Sequence, residues 1–266
     1  MRIKSLILLS SILCASFCVS INSALATPII SKPIASTDKS EAVIARVTPD
    51  VAQALKAKGL SLGSPVFLRV IKSPSPKNGH IENGVLEVYV KSHEGQYVLF
   101  KSYDICAASG TQGPKMKTGD GQSPEGFYFV SASRFNPWSS YHLSLNLGYP
   151  NSFDRAHNRT GNYLMVHGNC VSIGCYAMTD AGIEEIYTLA YKAVANGQKI
   201  VRVHAFPFPM TQTNMEAAKG SPHYSFWKNL KQGWDWFETK HIPPNVNVSH
   251  GEYIFSPLPI SLQTLR

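Results

Sequence analysis

The residues between 166 and 180 could perform nucleophilic chemistry. His167 stands before Cys175 in this segment, and Gly174 directly precedes the cysteine. A thiol attacks as its thiolate, and a nearby imidazole or helix N-terminus favours that form. Both conditions are expected at Cys175, because His167 ends a predicted strand and a predicted helix begins at Asp180. Gly174 allows a tight turn, and backbone N–H groups around Cys175 could stabilise an oxyanion. The pattern indicates a Cys–His pair for covalent catalysis.

Other interpretations of the same cysteines stay open on spacing alone. Cys175 could be a small buried apolar side chain, or it could form a short disulfide loop with Cys170. His167, Cys170 and Cys175 could also bind a structural zinc ion, with His204 or Cys106 as the fourth ligand. The spacing therefore favours catalysis without excluding a structural or metal-binding role.

The N-terminus has the pattern of a secretory signal peptide. Cationic residues precede an apolar stretch from Leu6 to Ile21, and an A-x-A sequence ends at Ala26. We expect cleavage after Ala26, export to the periplasm and no membrane span in the remaining chain. Cleavage would remove Cys14 and Cys18, which leaves three cysteines in an oxidising compartment. At most one internal disulfide can then form, and at least one thiol remains.

The composition describes a folded, basic protein. The 266-residue chain has a formal charge of +8 and 44% hydrophobic residues, which is too apolar for a disordered protein. Its lysines and arginines are scattered, and no basic run contains interleaved aromatic residues, so nucleic-acid binding is not expected. A moderately basic exported chain suits an anionic surface such as a cell wall.

The elements that must position the His and Cys are mainly strands. Thr27 to about Ser40 has the composition of a linker, and Thr48 to Gly59 predicts a short helix with a Thr N-cap, Pro at N1 and Gly as its stop. The Gly- and Pro-rich interval Gly110–Gly126 predicts a long loop, which within a compact domain is usually functional or disordered. Alternating or β-branched runs predict strands at 66–71, 85–91, 96–105, 126–131, 162–167 and 199–206.

Two longer helices are predicted after the cysteine. Asp180–Ala195 has one apolar stripe and ends at an Asn-Gly pair. Phe226–Thr239 has an aromatic stripe, which is more typical of core packing than of a ligand platform. With no internal repeat, these patterns predict one β-rich α+β domain with flanking helices.

The chemical segment and its surroundings resemble the L,D-transpeptidase (YkuD-type) catalytic domain. The resemblance lies in His167-Gly168, in Ser172-x-Gly174-Cys175 and in Ser123-Pro-Glu-Gly-Phe-Tyr128, which is similar to the strand entry of that family. Cys175–Asp180 and Phe206–Thr211 are most similar to the YafK-like branch of murein L,D-transpeptidases. The resemblance implies mixed and antiparallel sheets with a helix after the catalytic cysteine.

The resemblance also implies an exported, cysteine-dependent peptidoglycan enzyme. Cys175 would attack the amide between L- and D-centres of a stem peptide and form a thioester, which an amine acceptor or water resolves. His167 matches the general base, and the Gly168 carbonyl matches the group that orients its imidazole. Gly174 would supply an oxyanion N–H, and Ser172 would shape the turn and contact substrate. The family uses no metal or cofactor.

Two departures from the family motif affect substrate recognition. The usual motif has a His and an Arg where this chain has Ile173 and Ala177. That Arg is expected to bind a substrate carboxylate, and we expect Arg134 or Arg155 to replace it. The departures are compatible with hydrolysis, including cleavage of crosslinks or release of a wall-linked lipoprotein.

The resemblance assigns Cys175 to chemistry and leaves Cys106 and Cys170 as the candidate disulfide pair. The alternative from another class of protein is a metal-stabilised module that binds the cell wall without catalysis. The predicted organisation is a signal peptide at 1–26, a linker and short helix at 27–64, a catalytic domain at 65–211 and an aromatic helical extension packed on it at 212–266.

Overall fold

The computed structural model describes residues 33–76 and 81–259. The predicted signal peptide, with Cys14 and Cys18, lies outside the described residues. This part of the chain has five α-helices: α1 (Asp38–Ala57), α2 (Ser152–Ala156), α3 (Asp180–Ala195), α4 (Gln212–Ala217) and α5 (Tyr224–Lys240). Its strands are β1 (Val66–Ile71), β2 (Val85–Lys91), β3 (Tyr97–Asp104), β4 (Gly126–Ser131), β5 (Phe135–Asn136), β6 (Ser144–Asn146), β7 (Met165–His167), β8 (Tyr176–Ala177), β9 (Ile200–Phe206), β10 (Asn245–Ser249) and β11 (Glu252–Ser256). The predicted β-rich α+β fold is confirmed.

The larger sheet has the strand order β3-β2-β1-β9-β4. β1 is parallel to β9, and the other neighbouring pairs are antiparallel. Every side chain of β1 is buried, because both faces of the sheet are covered. Apolar residues of α1 and α3 pack on one face. On the other face Phe237 of α5 packs on Phe67, and Trp234 packs on Phe206. The predicted core role of this aromatic helix is therefore confirmed.

The first helix is longer than the sequence pattern predicts. It begins at Asp38, where Thr37 and Ser40 form a capping box, and not at Thr48. The Thr48 hydroxyl donates to the carbonyl of Ile44 at 2.6 Å inside the helix, and Pro49 is accommodated there as well. The predicted start was wrong because a Thr-Pro pair can mark the first turn of a helix and can also occur inside one, and the sequence does not distinguish the two cases. Among the described residues, no helix is long and apolar enough to cross a membrane.

The smaller sheet carries the chemical segment and has the order β5-β6-β7-β8. β7 is shorter than the predicted strand at 162–167 because Gly161 and Tyr163 both have positive φ, +130° and +53°. β7 and β8 are parallel, with His167 opposite Ala177. The remaining predicted strands and α3 occur within one or two residues of their expected bounds.

The long loop before β4 is anchored by a fully buried ion pair. The ammonium group of Lys72 lies 3.0 Å from the Glu125 carboxylate, and both side chains have no solvent exposure. Lys72 also donates to the carbonyls of Thr111, Gly113 and Ser123 at 2.9 to 3.0 Å. Burial lowers the pKa of Lys72, and the charge of Glu125 opposes that shift. A single side chain thus connects three points of the predicted functional loop to the end of β1.

The other oxygen of Glu125 connects the loop to the C-terminal helix. The indole N–H of Trp227 donates to it at 2.8 Å, and the backbone N–H of Gly113 donates to the first oxygen at 2.7 Å. The charged groups of the pair are therefore compensated by hydrogen bonds as well as by each other, as buried ions require.

Replacing Lys72 should destabilise the whole domain. In Lys72→Met the Glu125 carboxylate stays buried without its counter-ion, and we expect the free energy of unfolding to fall by about 3–5 kcal/mol. The matched control is Lys231→Met on the surface of α5, which breaks an ion pair with Asp235 and should change stability by about 1 kcal/mol or less. Urea unfolding without reductant measures both, and equal losses in the two variants would contradict the anchoring role.

Candidate functional site

His167 is a buried imidazole held in one orientation at the end of β7. Its Nδ1 lies 2.6 Å from the carbonyl oxygen of Gly168, and because a carbonyl only accepts, Nδ1 carries the proton. Nε2 of the neutral ring is therefore the atom with a free lone pair. The ring of Tyr141 packs over it at 4.7 Å between centroids. Burial lowers the pKa of His167, with the Gly168 carbonyl acting in the opposite direction. The imidazole is thus neutral and of defined tautomer, and its contact with the Gly168 carbonyl is the one that the family resemblance implies.

The backbone at Gly168 is packed too closely against its neighbours to leave room for a side chain. A Cβ at this position would lie 2.5 Å from Oδ1 of Asp180 and 3.1 Å from Ile183, both on the first turn of α3. The same Asp180 oxygen accepts the N–H of Asn169 at 2.9 Å. The absence of a side chain at Gly168 therefore lets α3 pack directly against the segment that orients the imidazole.

Cys175 directly precedes β8 and lies on the same face of the strand pair as His167. The parallel register continues from the pair His167–Ala177 and sets Cys175 beside Met165, and residues two apart on a strand share a face. The Met165 backbone donates a hydrogen bond to the sulfur, which agrees with this register. The thiol itself lies 3.7 Å from the carbonyl oxygen of Tyr163. Topology therefore places the thiol and the imidazole on one face, at diagonal positions of the two strands.

Burial acts on Cys175 against the influences of the imidazole and the helix N-terminus that were expected to favour its thiolate. Burial is the largest influence on the thiol and raises its pKa, while the Met165 hydrogen bond and the charge of Lys115 lower it by less. Since the pKa of His167 is lowered and that of Cys175 is raised, the resting pair is neutral imidazole and neutral thiol. A neutral pair of this kind is the arrangement in which an imidazole can act as a general base.

Two hydroxyl groups fix the carbonyl of Cys175. Ser172 Oγ donates to it at 2.8 Å, and Ser123 Oγ donates at 3.1 Å from the long loop. Ser172 Oγ also accepts the N–H of Gly174 at 3.2 Å, and Gly174 has φ +140°, a conformation that favours glycine. The turn that presents the thiol is therefore closed by hydrogen bonds on both sides.

These contacts bear on two predicted roles. The hydroxyl of Ser172 donates and accepts within the turn, which supports its predicted role in shaping the turn, while its predicted contact with substrate stays a prediction. The N–H of Gly174 is already donated to Ser172, which leaves the N–H of Cys175 as the better oxyanion donor. Ser123 was quoted only as part of a resembling motif, and its contact with Cys175 spans the chain, so sequence spacing could not reveal it.

The disulfide between Cys106 and Cys170 is present, with their Cα atoms 5.1 Å apart. Among the described residues Cys175 is the free cysteine. A Cys170–Cys175 loop is thereby ruled out, and the proposed zinc site loses Cys170 and Cys106 as thiolate ligands. His204 is also unsuitable as the fourth ligand because it lies in the larger sheet, between the rings of Phe67 and Phe127. Within the described ranges no cluster of three or more potential metal ligands occurs.

The two arginines expected to bind substrate have other partners. Arg134 donates to the carbonyls of Phe129 and Leu147, and Arg155 donates to Ser152 Oγ at 3.2 Å. Both line a cavity of about 490 Å³ whose lining residues do not include the thiol or the imidazole. Their prediction as substrate-binding replacements at Cys175 is therefore not supported by the structure.

Lys115 is the cation that acts on the thiol. It is buried in the long loop, where it pairs with Asp120 at 2.6 Å, and its charge lowers the pKa of Cys175. Sequence reasoning missed it because nothing in a loop pattern tells which lysine points inward. Of the two motif departures, Ala177 is fully buried while Ile173 is 91% exposed beside the thiol. The site thus presents an apolar side chain where the family has a polar one.

Comparison with known proteins identifies the same family that the sequence motifs resemble. Residues 87–203, which include His167 and Cys175, match the L,D-transpeptidase catalytic domain (YkuD). Over 205 residues the chain is 45% identical to YafK of Escherichia coli (strain K12), an L,D-transpeptidase by provisional name; the match covers 77% of this chain and 79% of the relative.

Solved structures show weaker likeness. The helical cell shape determining protein Pgp2 from Campylobacter jejuni aligns at TM-score 0.41 with 17% identity, over 79% of this chain and 80% of its own. Bd1075 of Bdellovibrio bacteriovorus aligns at TM-score 0.36 with 20% identity, over 65% of this chain and 58% of its own. The assignment rests on the family match and the sequence relative rather than on these alignments.

The pH dependence of thiol alkylation tests the neutral resting pair. Iodoacetamide reacts with the thiolate, whose fraction rises as pH rises through the thiol pKa. Because burial raises that pKa, we expect labelling of Cys175 in the folded protein to rise at higher pH than in the same protein unfolded in urea. Peptide mass spectrometry measures the labelled fraction at this one residue. Rapid labelling of the folded protein below neutral pH would instead indicate a preformed thiolate–imidazolium pair.

Proposed function

We propose that this chain, which belongs to the L,D-transpeptidase (YkuD) family, is an exported thiol acyltransferase acting on peptidoglycan stem peptides. Membership of the family makes it a peptidoglycan-related enzyme; the nucleophile, the substrate bond and the compartment are our proposals. The observation that carries them is the neutral His167, oriented by the Gly168 carbonyl, on the same face of the strand pair as the free thiol of Cys175.

The first half-reaction forms a thioester. Nε2 of His167 accepts the proton of Cys175 as the sulfur attacks the carbonyl carbon of an amide that follows an L-centre. The Cys175 N–H donates to the oxyanion of the tetrahedral intermediate, and the Gly168 carbonyl stabilises the imidazolium through Nδ1–H. The C–N bond then breaks, and the imidazolium gives its proton to the departing amine.

The second half-reaction determines the class of product. His167 removes a proton from an amine acceptor, which attacks the thioester carbonyl, forms a new amide and releases the thiol of Cys175. If water attacks instead, the product is a free carboxylate. We propose transpeptidation as the main reaction because this is the activity of the family.

Hydrolysis is the second candidate, and the departures from the family motif at Ile173 and Ala177 are compatible with it. Ile173 occupies the position of the His in the family motif and is exposed. Ala177 occupies the position of the Arg and is buried. A substrate carboxylate therefore has no partner at these positions, so the site recognises its substrate differently from the usual motif. Cleavage of crosslinks or release of a wall-linked lipoprotein would use the same first half-reaction.

Two features support export to the periplasm. The N-terminal 26 residues have the pattern of a signal peptide, and Cys106 and Cys170 form a disulfide, which is typical of an oxidising compartment. The rival metal-stabilised wall-binding module requires these cysteines as thiolates and so is not favoured.

Removal of the thiol should abolish turnover while leaving the fold intact. The purified protein and Cys175→Ala are incubated with crosslinked or lipoprotein-linked muropeptides of defined mass. We expect the variant to lose activity by about a thousandfold or more, because the nucleophile cannot be replaced by water at comparable rate. Product masses distinguish the reactions: hydrolysis gives two fragments whose masses sum to the substrate plus one water, whereas transpeptidation replaces the departing amine with the acceptor amine. Equal turnover by both proteins, with equal thermal stability, would sink the nucleophile assignment.

Ser123 should affect the rate through the position of Cys175. In Ser123→Ala the Cys175 carbonyl loses one of its two hydroxyl donors, and we expect kcat to fall by about tenfold or more with KM little changed, as for a misplaced nucleophile. Thr118→Ala, an exposed hydroxyl in the same loop, is the matched control and should leave both constants unchanged. A rise in KM at constant kcat would indicate substrate contact instead of positioning.

A further inference from the structure

The cavity lined by Arg134 and Arg155 contains a third arginine, Arg202. It has a volume of about 490 Å³ and lies between the edge strand β4, its neighbour β9, α2 and the hairpin β10–β11. Arg134, Arg155 and Arg202 line it, and among its described lining residues none is acidic. Neither Cys175 nor His167 contributes to it, so it is separate from the site described above.

The three guanidinium groups have no carboxylate partner among the described residues. Arg134 and Arg155 donate to backbone carbonyls and to a serine hydroxyl, which leave their charge uncompensated. Arg155 is exposed, whereas Arg134 and Arg202 are half-buried, and burial lowers the pKa of both. The group that opposes this shift at Arg202 is the phenol of Tyr97 and not a carboxylate. Two partly desolvated cations without counter-ions are unfavourable, and their presence in one cavity is explained if an anion binds there.

Strand register brings two of the arginines together. Arg202 of β9 is paired with Phe129 of β4, and the guanidinium of Arg134 lies 4.2 Å from the Phe129 ring. Both positive charges therefore flank one aromatic side chain. An anion bound beside Phe129 could therefore be reached from both arginines.

A buried imidazole provides a further unpartnered polar group. His204 lies two residues after Arg202 on the same face of β9 and is only 1% exposed. Its Nδ1 has no hydrogen-bond partner among the described residues, and the ring lines the same cavity. Buried polar atoms in native proteins are generally hydrogen-bonded, so this atom indicates a ligand or water inside the cavity.

We propose that this cavity binds a ligand with two or more carboxylate or phosphate groups. Planar guanidinium groups donate in pairs to both kinds of oxyanion, and three of them exceed what one singly charged group requires. The apolar side chains of Leu147, Val246 and Val248 also line the cavity and would contact a carbon skeleton between the charged groups. Binding here does not depend on the reaction at Cys175.

Titration calorimetry of the purified protein with citrate and with pyrophosphate tests the proposal. At constant ionic strength, at least one of the two should bind, and the stronger of them identifies carboxylate or phosphate as the recognised group. Arg202→Gln should weaken that binding by about tenfold or more, because it removes charge-assisted hydrogen bonds. Arg46→Gln is the matched control, since Arg46 is exposed on α1 and pairs with Glu184.

The outcomes are separable from folding and from catalysis. If Arg202→Gln does not fold, Arg134→Gln provides the second variant, and thermal unfolding without anion checks each protein. Binding lost in the cavity variant and kept in Arg46→Gln supports the proposal. Absence of binding by both anions at millimolar concentration, or equal weakening in the cavity variant and in Arg46→Gln, would overturn it. Turnover by Cys175 is measured independently and does not enter this test.

Discussion

The placement of the reacting thiol depends on a buried ion pair in another part of the chain. Lys72 and Glu125 are both inaccessible to solvent, and the ammonium group also binds three carbonyls of the loop between β3 and β4. One of those carbonyls belongs to Ser123, whose hydroxyl donates to the Cys175 carbonyl. Two buried charges are expensive to desolvate, and an apolar pair of equal volume would stabilise a domain as well or better. What the ion pair provides is a fixed loop conformation, and through it a fixed position for the turn that carries Cys175.

The electrostatics of the site follow from the same burial. A desolvated imidazole and a desolvated thiol both favour their neutral forms, so in the proposed reaction the proton stays on sulfur until a substrate carbonyl is in place. Nδ1 of His167 donates to the Gly168 carbonyl, so Nε2 is the ring nitrogen that can accept a proton. Because Cys106 and Cys170 are joined to each other, neither has a free thiol that could form a disulfide with Cys175. Each of these features holds the nucleophile in a defined state without requiring a preformed charge.

Much of this could be predicted from local patterns, because local patterns determine local structure. Period-two runs located the main strands, the apolar stripe located α3, and His-Gly with Ser-x-Gly-Cys located the chemical segment. The start of α1 could not be predicted, since Thr48-Pro49 fits both a helix start and a helix interior. The substrate role of Arg134 and Arg155 stays a prediction that the contacts of the two arginines do not support, because a missing motif residue says nothing about which distant side chain approaches the site. Ser123 and Lys115 were missed because their roles exist only after the long loop folds back onto β8.

Alternate side chains of β9 point to opposite faces of the larger sheet, one facing the apolar core and the other facing the arginine-lined cavity. Val201 and Val203 face the core under α1 and α3 and are fully buried, while Arg202 and His204 face the other side. Apolar residues at these two positions would continue the aromatic packing seen around Phe127 and would close the cavity. An arginine without a counter-ion and a histidine without a hydrogen-bond partner stand there instead, at a stability cost that packing does not recover. Polar groups kept at a cost on an otherwise apolar face are better explained by a ligand than by the fold, so this face of the sheet has a role separate from supporting the thiol.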